Sequence, residues 1–264
     1  MGDLSLQNRA LPEDLSKLTN GYNWQRITIG LSESQTYLLS GASSNLYIKI
    51  QSRTAAESLH HEKKRLVWLQ GKLPVPELVY YGQDDANEYL LMTEIEGGNA
   101  SDKSYERMLP QLMQQLAIGL RSVHEVPVEG CPFDQTLVSK IVEVTRRVEQ
   151  QLVDKEDFDS QRQGQKAEDL AQELLRLKPE SEDLVFTHGD YCLPNIILKD
   201  GKVHGFIDWG RAGIADRYQD IVLAIRSIRY NFGDEYVQTF LDAYGMTTLD
   251  EDKVYYYQLM DEFF

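Results

Sequence analysis

Apolar and polar positions alternate in five short runs of the first hundred residues: Asn23 to Ile29, Thr36 to Ser40, Leu46 to Ile50, Leu78 to Tyr81 and Tyr89 to Glu94. That period of two predicts β-strands. One segment among them changes period. In Glu57 to Gln70, the residues Leu59, Glu62, Leu66 and Leu69 recur at intervals of three and four, which predicts a helix with Glu62 in line with its apolar stripe. A carboxylate on such a face is costly to bury without a partner. Gly71, Pro74 and Pro76 end the helix, and Gly97-Gly98 after the last strand reads as a hinge.

From Tyr105 onward the helical period dominates. Leu109, Leu112, Leu116, Leu120 and Val123 form one stripe, and Leu137, Ile141, Val144, Val148 and Leu152 form another. The polar segment Asp154 to Gln165 reads as a solvated loop, followed by a helix at Ala167 to Leu177. Short strands return around a turn between Leu184 and Trp209, and helices resume with Asp220 to Tyr230, Glu235 to Tyr244 and Asp250 to Phe264. The expected class is α+β, with a small β-rich lobe over 1–96 and a larger α-rich lobe over 97–264, an order that puts a cleft at their junction.

Composition narrows the partners. With 27 Lys plus Arg against 42 Asp plus Glu, the formal charge is −15, which repels phosphate backbones and argues against a nucleic-acid partner. No apolar run is long enough for a membrane span and the N-terminus lacks the pattern of a signal peptide, so a soluble, cytoplasmic protein is expected. Cys131 and Cys192 have neither disulfide-framework nor metal-ligand spacing. Acidity alone does not name a substrate, since solubility accounts for it equally well.

The chemistry concentrates in His188-Gly189-Asp190-Tyr191-Cys192-Leu193-Pro194-Asn195, followed by Phe206-Ile207-Asp208-Trp209-Gly210. Metal-assisted phosphoryl transfer needs one group to orient the attacking hydroxyl and oxygen ligands to hold Mg2+ against the phosphates. Asp190 suits the first role, and Asn195 with Asp208 the second. An apolar run precedes each motif and supplies a strand to stiffen the loop.

This spacing resembles the catalytic and metal loops of the protein-kinase superfamily, with Gly189 where protein kinases carry an arginine that reads a phosphorylated activation loop. The interval from Asp208 to Asp220 is too short to hold such a loop, which points to an unregulated small-molecule kinase. On the same pattern Lys49 reaches the ATP phosphates and Glu62 pairs with it. Tyr47 lies against the adenine, Met92 stands on the strand before the hinge, and main-chain groups at Thr93 to Ile95 meet the base edge. The glycine-rich phosphate loop is reduced here to Ile29-Gly30-Leu31-Ser32-Glu33-Ser34, where Ser32 is the expected contact.

The likeness extends further. Val185 to Asn195, Gly205 to Asp220, Leu69 to Glu77, Cys131-Pro132-Phe133 and the terminal Leu259-Met260-Asp261-Glu262-Phe263-Phe264 resemble the aminoglycoside 3′-O-phosphotransferases. The resemblance implies a bilobal, protein-kinase-like fold. It further implies ATP and two Mg2+ ions as cofactors, a monomer, and transfer to the 3′-hydroxyl of antibiotics such as kanamycin and neomycin. It makes Asp190 catalytic and assigns Asp157, Asp159, Asp190, Arg211, Asp261, Glu262 and Phe264 to the cationic aminoglycoside. Tyr230 and Asn231 stand where family members often carry acids. Three alternatives stay open: a kinase of the same fold acting on another alcohol such as choline, a sugar, homoserine or a macrolide, a catalytically inert nucleotide sensor, and an acidic interaction protein.

Overall fold

The computed structural model describes residues 11–28, 34–41 and 44–264. The expected contact Ser32 and most of its loop lie outside the described residues. The elements run α1 (Glu13–Leu18), β1 (Asn23–Ile27), β2 (Gln35–Ser40), β3 (Leu46–Ser52), α2 (Leu59–Leu69), β4 (Leu78–Gln83), β5 (Asn87–Thr93) and β6 (Gly98–Asn99). They continue with α3 (Leu109–His124), α4 (Leu137–Glu149), α5 (Ala167–Arg176), β7 (Leu184–Thr187), β8 (Ile196–Lys199), β9 (Lys202–Phe206), β10 (Gly213–Asp216), α6 (Tyr218–Phe232), α7 (Val237–Tyr244) and α8 (Glu251–Asp261). The chain thus has the α+β composition expected. None of the helices among the described residues is long and apolar enough to cross a membrane.

Two compact units divide it. The first takes the described residues up to Ala100 together with Pro194–Gly210, and the second takes Ser101–Leu193 with Arg211–Phe264. The boundary at Ala100 falls close to the one read from the sequence at Glu96, and the segment Pro194–Gly210 groups with the first unit.

In the first unit an antiparallel sheet has the order β1-β2-β3-β5-β4. Along β3 the residues Leu46, Ile48 and Ile50 enter a core with Tyr37, Leu39, Tyr89 and Leu91. The pleat therefore turns Tyr47 and Lys49 to the opposite face. There Tyr47 stands opposite Met92 and Lys49 opposite Leu90 on β5. Helix α2 buries Leu59, Glu62, Leu66 and Leu69, the face its period predicts. Ser58 caps it by accepting from the His60 N–H, and Glu88 accepts from Leu59 N at 2.7 Å, placing a carboxylate at the positive end of the helix dipole. The β8–β9 hairpin turns through Asp200 and Gly201, both with positive φ (52° and 72°), the Asp-Gly pair that two-residue hairpins favour. The expected hinge Gly97-Gly98 is part of this unit, with Gly98 paired to Leu198 across β6 and β8.

The second unit is mainly helical. The α3 stripe is buried throughout, but the stripe on α4 overruns its helix, since Leu152 lies beyond Glu149 and is 36% exposed. The segment 154–165 also departs from the sequence reading. Phe158 is 3% exposed and packs with Leu170, Val254 and Phe263, while the Arg162 guanidinium pairs with Asp159 and lies 3.3 Å from Glu262. Its polar composition hides one aromatic anchor and one internal ion pair, so it is a packed loop and not a solvated one. Phe158→Ala should therefore cost about 3 kcal/mol of unfolding free energy, whereas Leu152→Ala should cost under about 1 kcal/mol. Urea denaturation of both variants checks the contrast, and equal small losses would return the segment to the surface.

Candidate active site

The first unit gathers Lys49, Glu62 and Asp208. Strand β3 aims the Lys49 ammonium away from the core, α2 presents Glu62 from its buried face, and the two meet at 2.7 Å, with Asp208 3.0 Å from the same nitrogen. Both side chains of the Lys49–Glu62 pair are largely buried, whereas that of Asp208 is 39% exposed. Burial alone would lower the lysine pKa, but Asp208 and Glu62 more than offset it and hold it above the ordinary lysine value. Burial also pushes the Glu62 carboxyl up, opposed chiefly by Lys49. The 2.7 Å contact and the firmly held lysine proton make the charged pair the governing form. Asp208 adopts φ 64°, the left-handed region that a residue with a side chain occupies at a cost. Ile207 N donates to Asn195 O at 3.0 Å, tying the strand end before Asp208 to the residue expected to share its metal.

On the sheet face beside Lys49, Tyr47 is half-buried and its phenol is raised by burial and by Glu94. Met92 is buried. Thr93 is committed to Glu77, whose N–H donates to its hydroxyl while its own N–H donates back to Glu77 O. The Glu94 N–H donates to Asn45 O. Among the described residues the Ile95 N–H has no such partner.

The second unit carries the loop from His188 to Leu193. Gly189 has φ 82°, and a Cβ there would sit 2.2 Å from the carbonyl oxygen of Arg211. Any other residue would collide with main chain, a constraint the motif spacing did not disclose. The loop amides are held by a buried carboxylate, since Asp220 on α6 accepts from His188 N at 2.7 Å and from Gly189 N at 2.8 Å. Tyr191 hydroxyl donates to Leu116 O on α3, and Leu193 N donates to Ser227 Oγ on α6. Asp190 is thus carried on a segment fixed from both sides. Asp220 stands in a motif visible in the sequence, but its role was not.

Several of the carboxylates expected around a cationic substrate are engaged within the unit. Asp261 pairs with Arg226 at 2.5 Å. The Glu262 side chain is 3% exposed and accepts from Asp159 N at 2.9 Å, beside Arg162. Arg211 Nη2 donates to Phe264 O at 2.7 Å, and Lys140 and Arg147 lie over the Phe264 ring. Carboxylates at the end of α8 face the negative pole of its dipole, and arginines of the same unit answer them. Asp157 remains exposed, Tyr230 is 89% exposed, and Asn231 Nδ2 donates back to Ser227 O. Arg226 feels the charges of Asp261, Asp190 and Glu262 against the burial that opposes its own.

Burial pushes Glu262 up to about 7 from an ordinary 4.5. The folded state therefore holds this proton more tightly than the unfolded chain does, so the contribution of Glu262 to stability is full below about 4.5 and lost as pH rises through about 7. Denaturant titrations at pH 5 and pH 8 should show the native protein losing stability relative to Glu262→Gln across that interval. Parallel pH dependences in the two proteins would show that Glu262 titrates normally.

Comparison with known proteins places this geometry. The model of the phosphotransferase enzyme family (APH) matches residues 23–257. An aminoglycoside 3′-phosphotransferase of Niallia circulans is 41% identical over 97% of this chain and 98% of its own length. The crystal structure of an aminoglycoside 3′-phosphotransferase of type VIII superposes with a TM-score of 0.86 at 35% identity, covering 95% of this chain and 97% of that one. An aminoglycoside phosphotransferase of Streptomyces rimosus, in complex with ADP and streptomycin, superposes with a TM-score of 0.78 at 26% identity over 94% and 95% of the two chains. Matched from strand β1 to helix α8, the chain belongs to the phosphotransferase enzyme family and, within it, groups with the aminoglycoside 3′-phosphotransferases.

Proposed function

We propose that the protein transfers the γ-phosphoryl group of ATP to the 3′-hydroxyl of aminoglycoside antibiotics and thereby confers resistance to them. The observation that supports this most directly is the buried Lys49–Glu62 pair set against a partly exposed Asp208, in a chain similar from end to end to aminoglycoside 3′-phosphotransferases. A nucleotide phosphate needs a cation held rigidly but not neutralised beyond use. Glu62 supplies the rigidity, and Lys49 keeps its proton and offers its charge to the phosphates.

The oxygen donors of Asp208 and Asn195 match the hard ligands that Mg2+ prefers, and Lys49 already lies beside Asp208 as a cation. In this reading Asp208 and Asn195 hold two Mg2+ ions, which offset the charge of the phosphates when bound. Tyr47 packs on the adenine, Met92 backs it, and the main chain from Thr93 to Ile95 reads the base edge, where the unpartnered Ile95 N–H is the available donor. Asp190 accepts a hydrogen bond from the 3′-hydroxyl, orients its oxygen toward the γ-phosphorus and takes its proton as the new P–O bond forms and the bond to the ADP oxygen breaks.

The acidic surface, at a net −15, draws the polycationic drug, and its amines compete with Arg226 and Arg162 for Asp261 and Glu262. Asp157, Asp159, Arg211 and the Phe264 carboxylate complete the acceptor's surroundings. Tyr230 and Asn231 contribute no charge there. The protein acts in the cytoplasm, where ATP is available, as a monomer without nucleic-acid or membrane partners.

An ADP-release assay with kanamycin and with its 3′-deoxy analogue tests the reading, with turnover of the first alone expected. Turnover of both would move the phosphoryl group to another hydroxyl, and turnover of neither would refute the substrate class. Asp190→Asn should lower kcat by about a hundredfold or more while ATP affinity stays nearly intact, because an orienting group acts in the transition state. A loss below tenfold would remove Asp190 from that role.

A further inference from the structure

Asp220 has a third donor besides the two loop amides. Nε2 of His124, at the end of α3, lies 3.1 Å from its Oδ2. The other ring nitrogen, Nδ1, lies 2.8 Å from the Tyr244 hydroxyl at the end of α7. Arg217 Nη1 donates to that same hydroxyl at 2.9 Å, and Arg217 is itself paired with Asp183 at 2.6 Å. The imidazole and the carboxylate are both closed off from solvent.

The order of protons along this chain follows from what each group is able to do. A carboxylate only accepts, so Nε2 of His124 carries the hydrogen that faces Asp220. A guanidinium only donates, so the Tyr244 oxygen accepts from Arg217 and meets Nδ1 as the second partner of the ring. In the opposite tautomer a nitrogen lone pair would face a carboxylate lone pair in a dry site, which is expensive. The carboxylate thus keeps a hydrogen on Nε2, and the Tyr244 hydroxyl holds the ring from its other side so that this donor stays aimed at Asp220.

We infer that Tyr244 is a positioning residue for the loop that bears Asp190: held by Arg217, its hydroxyl fixes the His124 ring, whose Nε2–H keeps Asp220 on the amides of His188 and Gly189. Its catalytic consequence rests on the reading of Asp190 given above, and Tyr244 itself touches no substrate. Arg217, Tyr244 and His124 line a cavity of about 580 Å³ together with Arg121, Asp183 and Met246. The hydroxyl, and not the enclosed carboxylate, is therefore the point at which the chain can be cut without opening the core.

Tyr244→Phe keeps the ring and deletes only that hydroxyl. Nitrogen-15 spectra of the five histidine rings, with His124 assigned by its loss in His124→Gln, should show one sharp His124 signal in the native protein and a shifted, exchange-broadened one in Tyr244→Phe. Exchange of the His188 and Gly189 amides should quicken by about tenfold, and kcat should fall by about tenfold with the KM for ATP unchanged within about twofold, as for a small misplacement of a reacting group. In a His124→Gln background the imidazole that Tyr244 holds is gone, so adding Tyr244→Phe there should change neither exchange nor kcat. A native His124 ring signal and native exchange in Tyr244→Phe would overturn the inference, as would the same loss in both backgrounds, which marks plain structural damage. The ring and exchange measurements need no substrate, so they decide the positioning even where kanamycin is not turned over, an outcome that would count against the proposed function alone.

Discussion

A carboxylate with no access to water is the constraint on which the loop from His188 to Leu193 depends. Asp220 is fully buried, and an ion in that position is tolerated only when donors surround it. The donors it finds are the main-chain N–H groups of His188 and Gly189, with His124 as the third. Satisfying the charge and fixing the loop are therefore one event. Side chains of the loop could not do this work at Gly189, where the Arg211 carbonyl leaves no room for a Cβ. The backbone must be gripped directly, and a short acid on α6 reaches it.

The same logic, a charge made useful by its partner, governs the other unit. Lys49 is largely buried, yet Glu62 and Asp208 hold its proton. A lysine so placed keeps a fixed geometry, its rotamer freedom already given up to the pair. Glu62 in turn lies on a helix face otherwise filled by Leu59, Leu66 and Leu69, where its charge is tolerable only because the strand opposite supplies a cation. Sheet pleat and helix period meet at that contact.

Acidity has a more particular meaning than the net charge suggests. The end of α8 concentrates carboxylates where the helix dipole opposes them, and Arg226, Arg162 and Arg211 answer from α6, from the loop after α4 and from the segment that follows Gly210. Only the Arg226–Asp261 pair is partly exposed, and such a pair contributes little stability. Glu262 differs from its neighbours, because its side chain is buried and its proton affinity is raised.

Much of this was legible along the chain. Period two placed β3 and β5, period 3.6 placed α2 and α3, and the off-pattern Glu62 announced a buried partner before any coordinates did, because a carboxylate in an apolar stripe has few explanations. The His188 to Asn195 and Phe206 to Gly210 spacing identified the phosphotransferase chemistry for a similar reason: few proteins need those oxygen donors at those intervals. Local patterns report what neighbours in sequence do together. They do not report which distant groups meet. Phe158 inside a polar loop, Glu88 at the start of α2, the arginines around α8 and the chain from Arg217 through Tyr244 and His124 to Asp220 join residues far apart in sequence, and each is ordinary in its own segment. The sequence by itself determined most of the elements and the family. Only the tertiary structure decided which charges were free and which were spent on holding the loop, because burial and hydrogen bonding are properties of packed pairs and no single position carries them.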